Sequence, residues 1–330
     1  MRIGVFGAGA WGTALAIAFS KKHQITLWTQ DSQHAEAMRS SQRNDRYLPQ
    51  IELPQSIQVT NQLQQCVTHQ DLHLIVTPLA GLRGTLEGIL QSGTKNTPLL
   101  WACKGIESGT GKLPHEIVNE LCPELPYGVL TGPSFAAEVA RGQPTAVTLA
   151  SPDETFAREW TLALHQPLLR IYANTDLIGA EIGGALKNVI AIATGVCDGM
   201  GYGLNARAAL ITRGLAEITR LAVIMGAKNE TMMGLAGMGD LILTCTGELS
   251  RNRTVGLKLA SGLTLTQILK ELGHVAEGVP AAREAVRLAQ RYEIDMPICS
   301  AVYALMNDDG ANAGDIVHDL LHREPKYENK

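Results

Sequence analysis

Along the first half of the chain, short apolar runs alternate with stretches in which apolar positions recur every three or four residues. "RIGVF" (2–6) reads as a buried strand, and "AWGTALAIAFSKK" (10–22) as a helix whose closing lysines suit the negative end of its dipole. Further strands are predicted at "ITLW" (25–28), "SIQVT" (56–60), "LHLIVTP" (72–78), "LLWACKG" (99–105), "YGVLTG" (127–132) and "TAVTLAS" (145–151). Helical segments such as 79–91 and 112–121 lie between several of them. Strand, helix, strand at this spacing predicts a parallel sheet with helices on both faces.

After about residue 175 the strand signals stop, and segments such as "NARAALITRGLAEITRLAVIM" and "PAAREAVRLAQRY" all fit helices. The chain therefore divides into an α/β doubly wound domain over 1–178 and an all-α domain over 179–330, and 330 residues suit two domains. No internal repeat or low-complexity tract stands out. "REPKYENK" at the end reads as a solvated tail.

Composition narrows the function. The net charge of −4 carries no run of like charges, and aromatic residues make up 5%. A nucleic-acid or anionic-membrane partner would want a basic patch, and single strands would want stacking platforms. No nucleic acid is expected, and no charge-free apolar stretch reaches the roughly 18–20 residues of a membrane span. The opening has a signal peptide's early arginine and apolar run, but Gly7, Gly9, Trp11 and Gly12 break it. Six cysteines at 66, 103, 122, 197, 245 and 299 form no C-x-x-C, which suits a reducing cytoplasm. His318 and His322 lie one helical turn apart but lack an evident third ligand, so no metal is expected.

The chemistry begins at "GVFGAGAWG". Gly7, Gly9 and Gly12 form G-x-G-x-x-G between a strand and a helix, the context in which the motif binds a dinucleotide. The first glycine makes the turn, the second admits a pyrophosphate, and the third lets helix and strand pack. The fold expected of 1–178 is thus Rossmann-like. After the second strand, "LWTQDS" offers Gln30 and Asp31. An acid there binds the ribose 2′-OH of NAD, or simply starts a helix. No arginine occupies 29–32, so NAD and NADP both stay open.

In the second half, "EIGGALKNVIAIATGV" (181–196) sets Lys187 and Asn188 in an otherwise apolar helix. Such a helix should be buried, and a buried cation is costly unless paired or neutralised. The lysine's own face carries Ala180, Gly184, Ala191 and Thr194, with Gly183 beside them. These small residues either leave room for another molecule or serve a helix crossing past which the lysine snorkels. "LAGMGDLILTCTGELSRNRTVG" (235–256) adds Asp240 and the run Ser250, Arg251, Asn252, whose hydroxyl, guanidinium and amide suit a phosphate or carboxylate. Lys104 and Ser134 fall at the C-terminal ends of predicted strands, the ligand edge of an open parallel sheet.

Taken together, "GAGAWGTALA", "WACKGIE", "GPSFAAEVARGQPTA", "GGALKNVIAIATG", "NARAALITRGLAEI", "AGMGDLILTCTGELSRNRTVG" and "VAEGVPAA" resemble the bacterial-type NAD(P)-dependent glycerol-3-phosphate dehydrogenases, in order from residue 4 to about 320. That family interconverts dihydroxyacetone phosphate and sn-glycerol 3-phosphate for phospholipid synthesis in the cytoplasm. The resemblance implies that Lys187 is catalytic and that Lys104 touches substrate and cofactor. Gly132, Ser134, Asp240, Ser250, Arg251 and Asn252 would contact substrate. Gly7, Gly9, Ala10, Trp11, Gly12, Gln30, Asp31, Ala136, Arg251, Val275 and Glu277 would contact NAD or NADP. Many members carry serine in place of Ala10, and some a basic residue near Gln30 or Asp31.

Reduction of a ketone needs a proton at oxygen as hydride reaches carbon, and a lysine ammonium can supply it. Burial beside "GGAL" is expected to favour the neutral amine, a carboxylate at Asp240 to oppose that and orient Lys187, while Arg251 and Asn252 hold phosphate. Two rival readings are a related reductase of another small acid and a non-catalytic dinucleotide sensor. The Ser-Arg-Asn run argues against the first, and Lys187 with Asp240 against the second. Exposed helices in the second half would suit a homodimer.

Overall fold

A computed structural model describes residues 1–93, 96–272, 276–307 and 312–321. Its strands are β1 (Arg2–Phe6), β2 (Gln24–Trp28), β3 (Arg43–Asn44), β4 (Leu48–Glu52), β5 (Ile57–Thr60), β6 (Leu72–Ile75), β7 (Leu99–Trp101), β8 (Tyr127–Thr131), β9 (Thr145–Ala150) and β10 (Leu169–Asn174). The helices of the first half are α1 (Ala10–Phe19), α2 (Ser32–Ser41), α3 (Leu63–Val67), α4 (Leu82–Gln91), α5 (Pro114–Leu121), α6 (Ala136–Ala140) and α7 (Glu154–Leu164). Then follow α8 (Leu177–Gly199), α9 (Gly203–Ile224), α10 (Asn229–Met232), α11 (Asp240–Thr246), α12 (Arg251–Ala260), α13 (Leu265–Leu272), α14 (Gly278–Arg291), α15 (Pro297–Asn307) and α16 (Ala313–Leu321).

Two compact units emerge: Met1–Gly184 with Ala227–Asp240, and Ala185–Gly226 with Leu241–Lys330. Helix α8 therefore contributes its residues up to Gly184 to the first and those from Ala185 to the second.

The first unit is a Rossmann-like α/β fold around an eight-stranded sheet ordered β10-β9-β8-β7-β6-β1-β2-β5. Alternation along the strands feeds two apolar layers, as the period of two requires. Ile3, Val5, Leu72 and Leu74 join α1 and α7 residues such as Leu15, Phe19, Phe156 and Leu164 on one face. Phe6, Ile75 and Trp101 join Leu86, Ile89, Ile117 and Val118 of α4 and α5 on the other.

The sheet departs from the all-parallel expectation at one pair. β8 and β9 are antiparallel, whereas β9 and β10 are parallel to each other. The link between β8 and β9 holds only the five-residue α6, where the links between parallel neighbours such as β1–β2 and β9–β10 carry helices of 10 and 11 residues. Sequence pattern is blind to this, because apolar residues look the same in either direction. The edge strand β10 was absent from the prediction, and its burial alternates over only part of its length. The β3–β4 hairpin was absent too, since β4 carries a proline and exposes most of its residues.

The second unit is wholly helical among the described residues. Helices α8 and α12 cross at backbone contact: a Cβ on Gly256 would lie 2.0 Å from the Ile192 carbonyl oxygen, and one on Gly195 2.1 Å from that of Arg253. Only glycine permits that approach. Among the described residues α8 alone is long and apolar enough to cross a membrane, and 94% of its most apolar window is buried within the protein.

Candidate active site

The glycine turn follows β1 directly. Gly7 sits at φ +117°, and a Cβ there would meet the Val76–Thr77 backbone at 2.8 Å. A Cβ on Gly12 would lie 1.9 Å from the Gly7 carbonyl oxygen, so the first turn of α1 can be this tight only without a side chain. Gly9 has open space where its Cβ would be. It also opens α1 without a side-chain cap, leaving the N–H groups of the first turn, around Ala10 and Trp11, for a ligand. The turn therefore fits a dinucleotide pyrophosphate on geometry as well as sequence.

Beyond β2, Gln30 is exposed and Asp31 caps α2, accepting from the His34 backbone N–H at 3.0 Å. That N–H holds the Asp31 carboxyl below the usual carboxylate range. Arg46, from the turn of the β3–β4 hairpin, donates to the other Asp31 oxygen at 2.9 Å. Tertiary structure thus supplies the cation that the local sequence lacks.

At the far ends of β7 and β8, Lys104 donates to the buried Asp240 carboxylate at 2.6 Å. Asp240 begins α11, just after a wide π-helical turn over Leu235–Gly239. Gly132 follows β8 at φ +136°, the Ser134 hydroxyl donates to its carbonyl at 3.0 Å, and Ala136 opens α6. Gly183 and Gly184 are packing residues here. A Cβ on the first would lie 2.7 Å from the Ala236 carbonyl oxygen, and one on the second 3.1 Å from the Thr131 hydroxyl. On the same stretch of α8, buried Glu181 accepts from the Trp101 indole at 3.1 Å and from the His115 amide at 2.9 Å, and it also binds the His115 ring. Burial raises the Glu181 carboxyl above its ordinary range despite these donors.

In the helical unit, Lys187 is buried at 7% exposure, so it does not snorkel out to solvent. Its neighbour Asn188 accepts from Asn252 Nδ2 at 2.9 Å and donates to Glu277 at 3.4 Å. The Asn252 oxygen accepts from the Gly278 N–H at 3.0 Å. Asn252 therefore ties the starts of α12 and α14 to Lys187's turn of α8. Ser250 caps α12 by accepting from the Arg253 N–H at 3.3 Å, and Arg251, the first residue of that helix, is exposed.

Asp198 is a residue that sequence reading passed over. It takes Arg207 from α9 at 2.6 Å and Arg253 from α12 at 2.8 Å on its two oxygens. Its signal was slight: one acid near the end of a long apolar helix. Val275 lies outside the described residues, as does His322.

A Rossmann-like sheet with a pyrophosphate-shaped first turn, continued into a helical unit holding a buried amine, defines a two-domain dinucleotide-dependent oxidoreductase. The sequence profiles of the NAD-dependent glycerol-3-phosphate dehydrogenase N-terminus and C-terminus match residues 2–157 and 176–317. The chain belongs to the NAD-dependent glycerol-3-phosphate dehydrogenase family. It is 63% identical over 329 residues to the glycerol-3-phosphate dehydrogenase [NAD(P)+] of Aromatoleum aromaticum, covering 99% of this chain and 100% of that one. The corresponding protein of Dechloromonas aromatica is 57% identical, with 99% of each chain covered. The crystal structure of glycerol-3-phosphate dehydrogenase from Coxiella burnetii superposes with a TM-score of 0.93 at 39% identity, covering 98% of this chain and 99% of that one.

Proposed function

We propose that this chain interconverts dihydroxyacetone phosphate and sn-glycerol 3-phosphate, with Lys187 as the proton donor to the ketone oxygen. NAD(H) or NADP(H), when bound, supplies or accepts the hydride. The turn at Gly7, Gly9, Ala10, Trp11 and Gly12 holds its pyrophosphate, and Gln30 and Asp31 face its adenosine ribose. Lys104, Ala136 and Glu277 are the further assigned contacts, with Val275 assigned by resemblance alone.

The observation that carries the reading is the buried Lys187 amine in a chain of this family. In the reductive direction the ammonium gives its proton to the developing alkoxide; in the oxidative direction the neutral amine takes it back. Asp240 acts through its pair with Lys104, which keeps Lys104 fixed at the strand ends. Gly132 and Ser134 set the substrate's carbon end. Arg251 grips the phosphate with its planar fork, and the N–H groups at the start of α12, following Ser250, add to it. Asn252, held by Asn188 and the Gly278 N–H, keeps its second Nδ2–H for the same phosphate.

Cytoplasmic residence is supported by six free buried thiols, and the sn-glycerol 3-phosphate formed would feed phospholipid synthesis. The substrate is a small molecule. A net charge of −4 speaks against nucleic acid as a partner.

The test is spectrophotometric: oxidation of NADH and NADPH by the purified protein with dihydroxyacetone phosphate. Turnover with at least one nucleotide is expected. Lys187→Ala should lower kcat by roughly a hundredfold or more, the usual share of a general acid, with a smaller effect on nucleotide affinity. Near-normal turnover in that variant would remove Lys187 from the mechanism. No turnover of dihydroxyacetone phosphate with either nucleotide would overturn the activity itself.

A further inference from the structure

The β3–β4 hairpin is tied to the glycine turn by one buried side chain. Asn44, only 1% exposed, donates to the Ala8 carbonyl at 2.9 Å and to the Thr13 hydroxyl at 2.7 Å. Its oxygen accepts from His34 Nε2 at 2.9 Å, which fixes the proton on that ring nitrogen. The His34 ring packs edge-on against Tyr47, centroids 5.3 Å apart, and the Arg46 guanidinium lies 5.1 Å from the Tyr47 ring centre. From there Arg46 reaches Asp31 at 2.9 Å. The Gly7 N–H binds the Trp28 carbonyl at 3.0 Å, so the glycine turn and the end of β2 are also joined. An arginine fifteen residues downstream of Asp31 is therefore built into the position where the adenosine ribose is read.

We infer that Arg46 is a cofactor-specificity residue that binds the 2′-phosphate of NADP(H), while Asp31 accepts from the free 2′-hydroxyl of NAD(H). This rests on the proposed dinucleotide-dependent activity. An acid alone at this place repels a 2′-phosphate. Paired with Arg46 it presents little net charge, so neither nucleotide is excluded. Both side chains are about half exposed, 53% and 45%. Such a pair is weak and exchanges partners cheaply. A phosphate dianion offers the planar guanidinium two acceptors in place of one carboxylate oxygen. The stacking on Tyr47 keeps the fork at the site whichever partner it takes.

Calorimetric titration of the full chain tests this with NADPH, NADH and the fragments 2′,5′-ADP and ADP. Wild-type protein should bind both dinucleotides. Arg46→Ala should weaken NADPH and 2′,5′-ADP relative to NADH and ADP by about ten- to a hundredfold, the value of a hydrogen bond to a charged group. Asp31→Asn, which keeps an acceptor for the His34 N–H, should move the ratio several-fold the other way. Binding of both nucleotides with an unchanged ratio in Arg46→Ala overturns this assignment alone. Wild-type protein that binds neither overturns it together with the reading beneath it.

Discussion

Glu217 offers a sharp test of the physical reading of the helical unit. It is 2% exposed, and its carboxylate accepts from the Ile298 N–H at 2.6 Å and the Cys299 N–H at 3.2 Å, capping α15 from α9. Burial outweighs those two donors and pushes its pKa up to about 7 from an ordinary 4.5. The sign follows from proton counting. Between pH 4.5 and about 7 the folded protein keeps a proton that the unfolded chain has lost. Stability contributed by this group is therefore complete below pH 4.5 and falls as pH rises through 7. At 1.36 kcal/mol per unit, the loss is on the order of 3 kcal/mol.

Glu217→Gln removes the titration and keeps one amide oxygen for the Ile298 N–H. The amide cannot serve both donors, so a pH-independent cost of about 1–2 kcal/mol is expected. The variant should thus be the less stable protein near pH 5 and equal or more stable near pH 8. Thermal unfolding of both proteins across this range reads the crossover. The difference in Tm should swing by on the order of 5–10 °C, at roughly 2–4 °C per kcal/mol. Because both proteins share every other titrating group, the difference isolates Glu217. A difference in Tm that stays constant from pH 5 to 8 would refute the buried-carboxylate argument.

The sheet unit should behave oppositely. His73 is fully buried, and burial lowers its pKa to about 4 from 6.5, so its contribution is complete above pH 6.5 and lost as pH falls toward 4. His73→Phe should flatten the acid limb of a Tm–pH profile by on the order of 3 kcal/mol. Gly12→Ala places a Cβ 1.9 Å from the Gly7 oxygen, so fluorescence titration should show weakened dinucleotide binding, alongside about 1–3 kcal/mol lost stability in denaturant. Asp198→Asn leaves Arg207 and Arg253 facing each other without their shared carboxylate, and should cost about 3 kcal/mol by thermal melt. Arg251→Ala should weaken dihydroxyacetone phosphate by roughly 2–5 kcal/mol in kcat/KM; equal loss with an unphosphorylated ketone would show a folding role instead.

Which of these groups could be seen in the sequence follows a physical rule. Features encoded within one turn of chain were legible: the glycine turn, the strand–helix alternation, and the apolar helix around Lys187. Each is a local demand of backbone geometry or burial, met by residues a few positions apart. What stayed hidden were strand direction and pairs formed across the fold. The antiparallel step from β8 to β9 leaves no mark on composition, because burial does not depend on polarity of the chain. The partnership of Lys104 with Asp240 spans 136 positions, and that of Asn188 with Asn252 spans 64. How the neighbours in the Ser250-Arg251-Asn252 run are oriented is likewise not written in the sequence. A helix start separates them: Ser250 caps, Arg251 points outward, and Asn252 turns inward to bind buried amides. The cation beside Asp31 is invisible at positions 29–32 for the same reason. Specificity at a ribose depends on where charge sits in space, and Asn44, by holding a short hairpin to the glycine turn, brings Arg46 to a place that no local window of sequence contains.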